Sequence, residues 1–205
     1  MKLRYTVTSP FARKAVVAAI ETGLDNRIAL VPTSPRDPAS GLADDNPLGK
    51  IPVLLTDDGR PLYDSRVICE YLDGLHDDPA RRLFPVAGAA RWDALCLQAL
   101  GDGMLDAATA VLMERRFRPA ETRWPEGQAA LLEKVTRSLD RLDRGLPGFG
   151  AQVDIGAIAI GCAIGYLDFR FAELGWRASR PRLAAWYEAL AARPSMVRSA
   201  PYDPS

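Results

Sequence analysis

The sequence predicts an α/β domain followed by an all-α helical bundle, and three observations carry that prediction. Before residue 32, an alternating stretch, a four-residue apolar repeat and a second short apolar run read as strand, helix and strand. Between Gly49 and Ser65 come a strand, an Asp-Gly turn and a helix start. Beyond a polar, proline-marked stretch at residues 77–85, apolar residues recur only at helical spacing.

In order along the chain, Leu3-Arg4-Tyr5-Thr6-Val7 alternates and reads as the first strand. Thr8 and Ser9 precede Pro10, and proline is favoured at a first helical position. Ala12, Val16 and Ile20 then repeat every four residues up to Gly23, a helix stop. Ile28 to Val31 is a second strand, so the unit predicts a right-handed parallel crossover. Pro32 to Pro47 reads mostly as loop. Ile51, Val53, Leu54 and Leu55 are strand formers bounded by Gly49 and by the Asp58-Gly59 turn. Pro52 has no N–H for a ladder and belongs at a strand start or an edge. A cis Ile51–Pro52 bond would turn the chain and leave the Ile51 backbone free to pair with an extended ligand. Ser65 reads as the N-cap of a helix carrying Val67, Ile68, Tyr71, Leu72 and Leu75. Free amides at a helix start attract carboxylates, so this stretch offers two parts of a peptide-binding site: a strand-like edge and an anion-binding helix end.

The boundaries read as a first domain at 1–76, a linker at 77–85 and a second domain at 86–205. Ala87 to Arg116 is one long helix or two, with Trp92, Leu95, Cys96 and Ala99 on one face. Leu131, Val135, Leu139, Leu142 and Leu146 mark an amphipathic helix. Asp154 to Phe171 is apolar almost throughout and predicts a helix buried on all sides. Pro181 starts a last helix to about Ala192, and Pro201 to Ser205 is an irregular tail.

Composition narrows the function classes. The chain has 205 residues, is 48% hydrophobic and balances 26 basic against 26 acidic residues. That balance argues against nucleic-acid or membrane-surface binding. No run of 18 apolar residues suggests a membrane span, and the N-terminus reads as a strand rather than a signal segment. Cys69, Cys96 and Cys162 are widely spaced and form no C-x-x-C, which predicts unpaired, buried thiols in a reducing cytoplasm. His76 is the only histidine, so a zinc site and Ser-His chemistry are not expected.

Asn46-Pro47-Leu48-Gly49-Lys50-Ile51-Pro52-Val53-Leu54, followed by Leu62-Tyr63-Asp64-Ser65, Ile68 and Tyr71-Leu72, resembles the glutathione-binding half of a glutathione S-transferase. Ser9-Pro10-Phe11-Ala12-Arg13-Lys14 is similar to that family's first helix, at the place where omega-type relatives carry Cys-Pro-Phe. Ile160 to Arg170 resembles the core helix of a bacterial subgroup. The resemblance covers nearly the whole chain and implies a thioredoxin-like N-terminal domain followed by an all-α helical-bundle C-terminal domain. It also implies glutathione as cosubstrate, a homodimer and a detoxification chemistry.

Read residue by residue, the resemblance puts Ser9 beside the glutathione sulfur, with Thr8 as the rival hydroxyl. Ser9 also caps the helix at Pro10, and the two roles are compatible because a helix start favours an anion. Serine in place of cysteine argues against a mixed disulfide. Phe11 walls the sulfur pocket or belongs to the core. Ile51 pairs through its backbone with the cysteinyl unit, held by Pro52, and Lys50 meets the glycyl carboxylate or is solvated. Ser65 takes the γ-glutamyl carboxylate and Asp64 faces its ammonium; capping alone is the plain alternative. Met104, Ala108, Phe117 and Trp124 are candidates to line an electrophile pocket between the domains. Arg13 and Lys14 read as solvated, and Arg115 and Arg116 as a solvated face that could instead attract an acidic substrate. The family's core helix usually opens with a Ser/Thr-x-x-Asp box; here Asp154-Ile155-Gly156-Ala157 loses the second partner, at a cost of ~1 kcal/mol. The expected reaction is addition of glutathione to a small hydrophobic electrophile. The alternatives are glutathione-dependent dehalogenation, isomerisation, ether cleavage or peroxide reduction, or a non-catalytic binder.

Overall fold

The computed structural model describes residues 1–145 and 153–203. Four strands form one sheet in the order β2-β1-β3-β4: β1 at Lys2–Tyr5, β2 at Ala29–Pro32, β3 at Val53–Leu55 and β4 at Pro61–Leu62. β1 runs parallel to β2 and antiparallel to β3, and β3 and β4 form the hairpin. The crossover helix α1 spans Pro10–Glu21, and Gly23 beyond it takes the left-handed φ of +73° that stops a helix. The loop that follows contains the single turn α2 (Leu42–Asp45), and α3 (Ser65–Asp73) packs against α1 behind the sheet.

The stretch read as a linker is exposed over residues 77–81 and packed at its end. Leu83 and Phe84 are buried, and Asp73 at the end of α3 accepts from both their amides, at 2.5 and 3.4 Å. The Leu83 carbonyl in turn accepts from Ile155 N–H at 2.9 Å. This bond takes up one orphan donor of the core helix, and Asp154 takes another through Ala157 N–H at 2.8 Å.

The second domain is helical: α4 (Gly88–Phe117), α5 (Pro125–Arg144), α6 (Ile155–Arg170), α7 (Pro181–Ala191) and α8 (Pro194–Arg198). α4 is one continuous helix, long and apolar enough by length and composition to cross a membrane, yet its buried side packs on α6 and α5. Every residue of α6 from Ile155 to Leu167 is buried. Gly101 permits the α4–α6 approach, since a Cβ there would stand 2.7 Å from the Ala159 carbonyl carbon. Trp92, Cys96 and Ala99 turn to the exposed side of α4, which corrects the expectation of three buried thiols. Leu146, assigned to the α5 face from sequence, and Pro204 and Ser205 of the tail lie outside the described residues. α8 is too short to leave a periodic signal, and the sequence reading missed it.

α1 joins the two domains. Lys14 is fully buried against Asp102 of α4, and Arg13 donates to the Met196 carbonyl and to Ser199 around α8. The reading of both side chains as solvated is therefore wrong. The face of α1 that looks polar in the sequence is the one the helical domain covers.

Candidate functional site

Ser9 ends a turn in which its N–H donates to the Thr6 carbonyl, 3.1 Å away. Its backbone is extended, and its Oγ accepts from Ala12 N–H at 3.2 Å, so it is the N-cap of α1. A serine hydroxyl has one donor and two acceptor sites. Capping uses an acceptor and leaves the proton free to donate at the positive end of a 12-residue helix. Thr8 Oγ1 lies 3.5 Å from Thr6 Oγ1, so its hydroxyl already has a neighbour to bond.

The second element is the loop before β3. The Ile51–Pro52 peptide is cis. Asn46 is buried and donates from Nδ2 to the Lys50 carbonyl at 2.8 Å, while its Oδ1 accepts from Leu48 N–H at 3.0 Å. Gly49 supplies a φ of +60° between them. Asn46 is thus the brace of this loop, a role that the sequence reading did not give it, because the carbonyl an asparagine holds shows only in the folded chain. Among the described residues, the Ile51 N–H and C=O make no hydrogen bond, which leaves a strand-like edge. Pro52 is buried behind it and Lys50 is exposed.

The third element is the start of α3, where one expectation is corrected. The N-cap is Asp64, whose Oδ1 accepts from Arg66 N–H at 2.9 Å; Ser65 is the first helical residue and is buried. The carboxylate of Asp64 reaches the N2 amide, which leaves Ser65 free of capping duty. Arg66 Nε then donates to Asp102 Oδ2 at 2.8 Å, tying this helix start to α4.

A cleft runs between the domains. One cavity of about 350 Å³ is lined by Thr6, Thr8, Ser9, Phe11 and Ile51 from the first domain and by Thr109, Met113, Phe117 and Tyr166 from the second. An adjoining cavity of about 430 Å³ shares Phe11, Ile51, Thr109 and Met113 and adds Gly49, Lys50 and Asp106. The fold therefore brings Thr8, Ser9, Phe11, Lys50 and Ile51 to one cleft. Asp64 and Ser65 line neither cavity. Of the four electrophile-pocket candidates, Phe117 lines the cavity. Met104 and Ala108 do not: they sit on the buried side of α4, in the bundle core. Trp124 is exposed and packs at the start of α5 over Gly127.

The two buried thiols are poor candidates for the nucleophile here. Burial pushes Cys69 up to about 12 and Cys162 up to about 11, so both stay protonated at neutral pH. Among the described residues, no three His, Cys, Asp or Glu side chains converge.

This is the architecture of a thioredoxin-like domain joined to a helical bundle, with a cleft between them. Residues 8–75 match the glutathione S-transferase N-terminal domain and residues 104–189 the C-terminal domain. The chain belongs to the glutathione S-transferase family. It is 35% identical over 98% of both chains to the uncharacterized GST-like protein YibF of Escherichia coli (strain K12). A glutathione transferase family member from Pseudomonas fluorescens Pf-5, solved with bound glutathione, is 41% identical with a TM-score of 0.91, covering 98% of this chain and 99% of that one. A second structure of that family member, with S-(propanoic acid)-glutathione, has a TM-score of 0.88 at 41% identity and covers 99% and 100%. A glutathione S-transferase from Methylobacillus flagellatus KT with glutathione bound is 41% identical, with a TM-score of 0.90, covering 98% and 99%.

Proposed function

We propose that this protein binds glutathione in the interdomain cleft, stabilises its thiolate through Ser9 and adds it to a small electrophile. The observation that carries this is Ser9: a hydroxyl with a spare proton, at a helix start, sharing one cavity with the unpaired Ile51 backbone. The glutathione held by the two bacterial relatives supports the ligand. Ile51 pairs with the cysteinyl unit, Pro52 holds that edge, Lys50 meets the glycyl carboxylate, and Ser65 with Asp64 takes the γ-glutamyl end. Phe11 walls the sulfur side.

A free thiol with a pKa of ~8.5 is about 3% ionised at pH 7. A hydrogen bond to a charged acceptor contributes ~1.5–3 kcal/mol, and each pKa unit is ~1.4 kcal/mol. Donation from Ser9 therefore lowers the thiol by roughly one to two units and makes it substantially ionised at neutral pH. The sulfur attacks the electrophilic carbon, a carbon–sulfur bond forms and the leaving group departs with its electron pair.

We also read the protein as a cytoplasmic homodimer. The exposed side of α4 at Trp92, Cys96 and Ala99, with Val67 of α3, supplies the apolar surface for a second copy. Sedimentation of the wild type gives a dimer in this reading, and W92E with V67E a monomer. The test of the site is calorimetry with glutathione, plus ultraviolet difference spectra of the thiolate band from pH 5 to 9. Millimolar glutathione that fails to bind, or a bound thiol that titrates at its free value, rejects the transferase reading.

A further inference from the structure

The smaller cavity is cationic, with one arginine from the first domain and two from the second. Arg36, Arg116 and Arg170 all line it, and no Asp or Glu is in its wall. Their partners differ. The Arg36 guanidinium lies 3.3 Å over the Phe117 ring, a cation held on an aromatic face. Arg170 stacks 3.7 Å over Phe169 and forks onto Asp203 with bonds of 2.9 and 2.6 Å. Arg116 is exposed, and among the described residues it makes no hydrogen bond or ion pair. Its neighbour Arg115 is bound instead to Glu173 and Gln128 and lies outside the cavity wall. Tyr166 lines the same cavity, and its hydroxyl makes no hydrogen bond among the described residues. Burial pushes that phenol up to about 12, so it stays a neutral donor.

Arg116 and the Tyr166 hydroxyl are donors without acceptors among the described residues, placed beside the apolar walls of Phe11, Leu112, Met113 and Phe117. Three guanidiniums lining one small cavity repel one another, and a bound anion reduces that cost. Asp203 already does this for Arg170 by hydrogen bonds and, more weakly and through space, for Arg116. It sits in the irregular tail, exposed, with its carboxyl held below the usual range by the Arg170 hydrogen bonds.

We propose that the electrophile is an anionic one, a small aromatic or conjugated molecule bearing a carboxylate that seats on Arg116 and Arg170 with its carbon skeleton against Phe11 and Phe117. This rests on the reading that the cleft binds and activates glutathione. Its two carboxylates go to Ser65 and Lys50 in that reading, so the arginines are left for the second substrate. Asp203 is the carboxylate that the substrate displaces from Arg170. With an aryl chloride, the thiolate sulfur bonds to the ring carbon, the carbon–chlorine bond breaks, chloride leaves with the electron pair, and the thiol proton has gone to solvent.

The experiment compares 4-chloro-3,5-dinitrobenzoate with 2-chloro-1,3-dinitrobenzene, which lacks the carboxylate. Each kcat/KM, at saturating glutathione, is divided by the rate with free glutathione at the same pH. The wild type should favour the benzoate by about tenfold or more, the scale of one charge-assisted bond. Going from 0.05 to 0.5 M salt should shrink that preference, since the pair is open to solvent. R116Q should bring the ratio toward one, and D203N should raise it by freeing Arg170. A wild-type ratio of one or below overturns the proposal. So does an R116Q that slows both substrates by the same factor, or one that weakens glutathione binding while the ratio stands. If neither chloride turns over, calorimetry with the two aryl-glutathione conjugates gives the same ratio as an affinity, and equal affinities overturn the proposal. Glutathione that fails to bind at all rejects the transferase reading itself. Glutathione that binds normally, with no preference between the conjugates, rejects only the anionic substrate.

Discussion

Ser9 serves two purposes with one oxygen, and the two can be separated by measurement. As an N-cap its hydroxyl accepts from Ala12 N–H, so S9A should lose ~0.5–2 kcal/mol of stability. As a donor to the thiolate it should contribute ~1.5–3 kcal/mol more, so the glutathione thiol bound to S9A should titrate one to two units higher. At pH 7 that lowers the thiolate fraction, and turnover with it, roughly eight- to twenty-five-fold, and the loss should narrow as pH rises through the free thiol value. An S9G control loses the hydroxyl in the same way but costs only a few tenths of a kcal/mol as a cap. It should match S9A in thiol pKa while folding better. The rival is T8A. If that variant, and not S9A, releases the thiol pKa, then Thr8 is the activating donor.

Among the elements, α8 shows what a helix too short for any sequence pattern can do. Glu21 at the end of α1 accepts from Arg193 at 2.9 and 2.8 Å and from Ser195 at 2.5 Å, clasping the two domains together. Burial alone would raise the Glu21 carboxyl, and the bonds from Arg193 and Ser195 more than offset it, so it lies below the usual range. A depressed carboxyl stabilises the fold above its unfolded value of about 4.3 and loses that contribution as pH falls through the folded value. E21Q should therefore be less stable than the wild type at pH 7, by ~1–3 kcal/mol, with the gap narrowing below about pH 4.3. Denaturant titrations at pH 7, 5 and 3.5 check this; a gap that widens in acid contradicts it. None of this was legible from the chain. The strand and helix periods located α1, α3 and α6 to within a few residues because each buries one face or all faces. Ser9, Ile51 and Pro52 stood out through cap and turn chemistry, which is local. Asp64 as the cap was missed because Asp and Ser both cap well, and only the Arg66 amide decides between them. Met104 and Ala108 were misplaced because helical spacing gives a face without saying what it meets.

At the scale of the molecule, the cleft exists only if the two domains keep a fixed spacing, and a buried charge sets it. Asp102 of α4 is 1% exposed in its side chain and accepts from Lys14 Nζ at 2.5 Å and Arg66 Nε at 2.8 Å, both from the first domain. The Lys14 side chain is 0% exposed. Two charges taken from water gain little net stability as a pair, but removing one strands the other. D102A should therefore cost ~3–5 kcal/mol, and D102N nearly as much, because its shape is kept and Lys14 is still unpaired. For a chain of this size that corresponds to a fall in Tm of roughly 6–20 °C. K14M with D102L replaces the pair by apolar groups and should recover most of the loss, since Arg66 is half exposed and can turn to water. Thermal melts of the four proteins decide the matter. If D102A costs no more than the ~1 kcal/mol of a surface pair, the charge is not what couples the domains. If the double variant is as unstable as D102A, the coupling lies in packing that methionine and leucine cannot fill. Recovered stability with weakened glutathione binding would mean that the pair selects the domain spacing the cleft requires and that apolar packing settles at another.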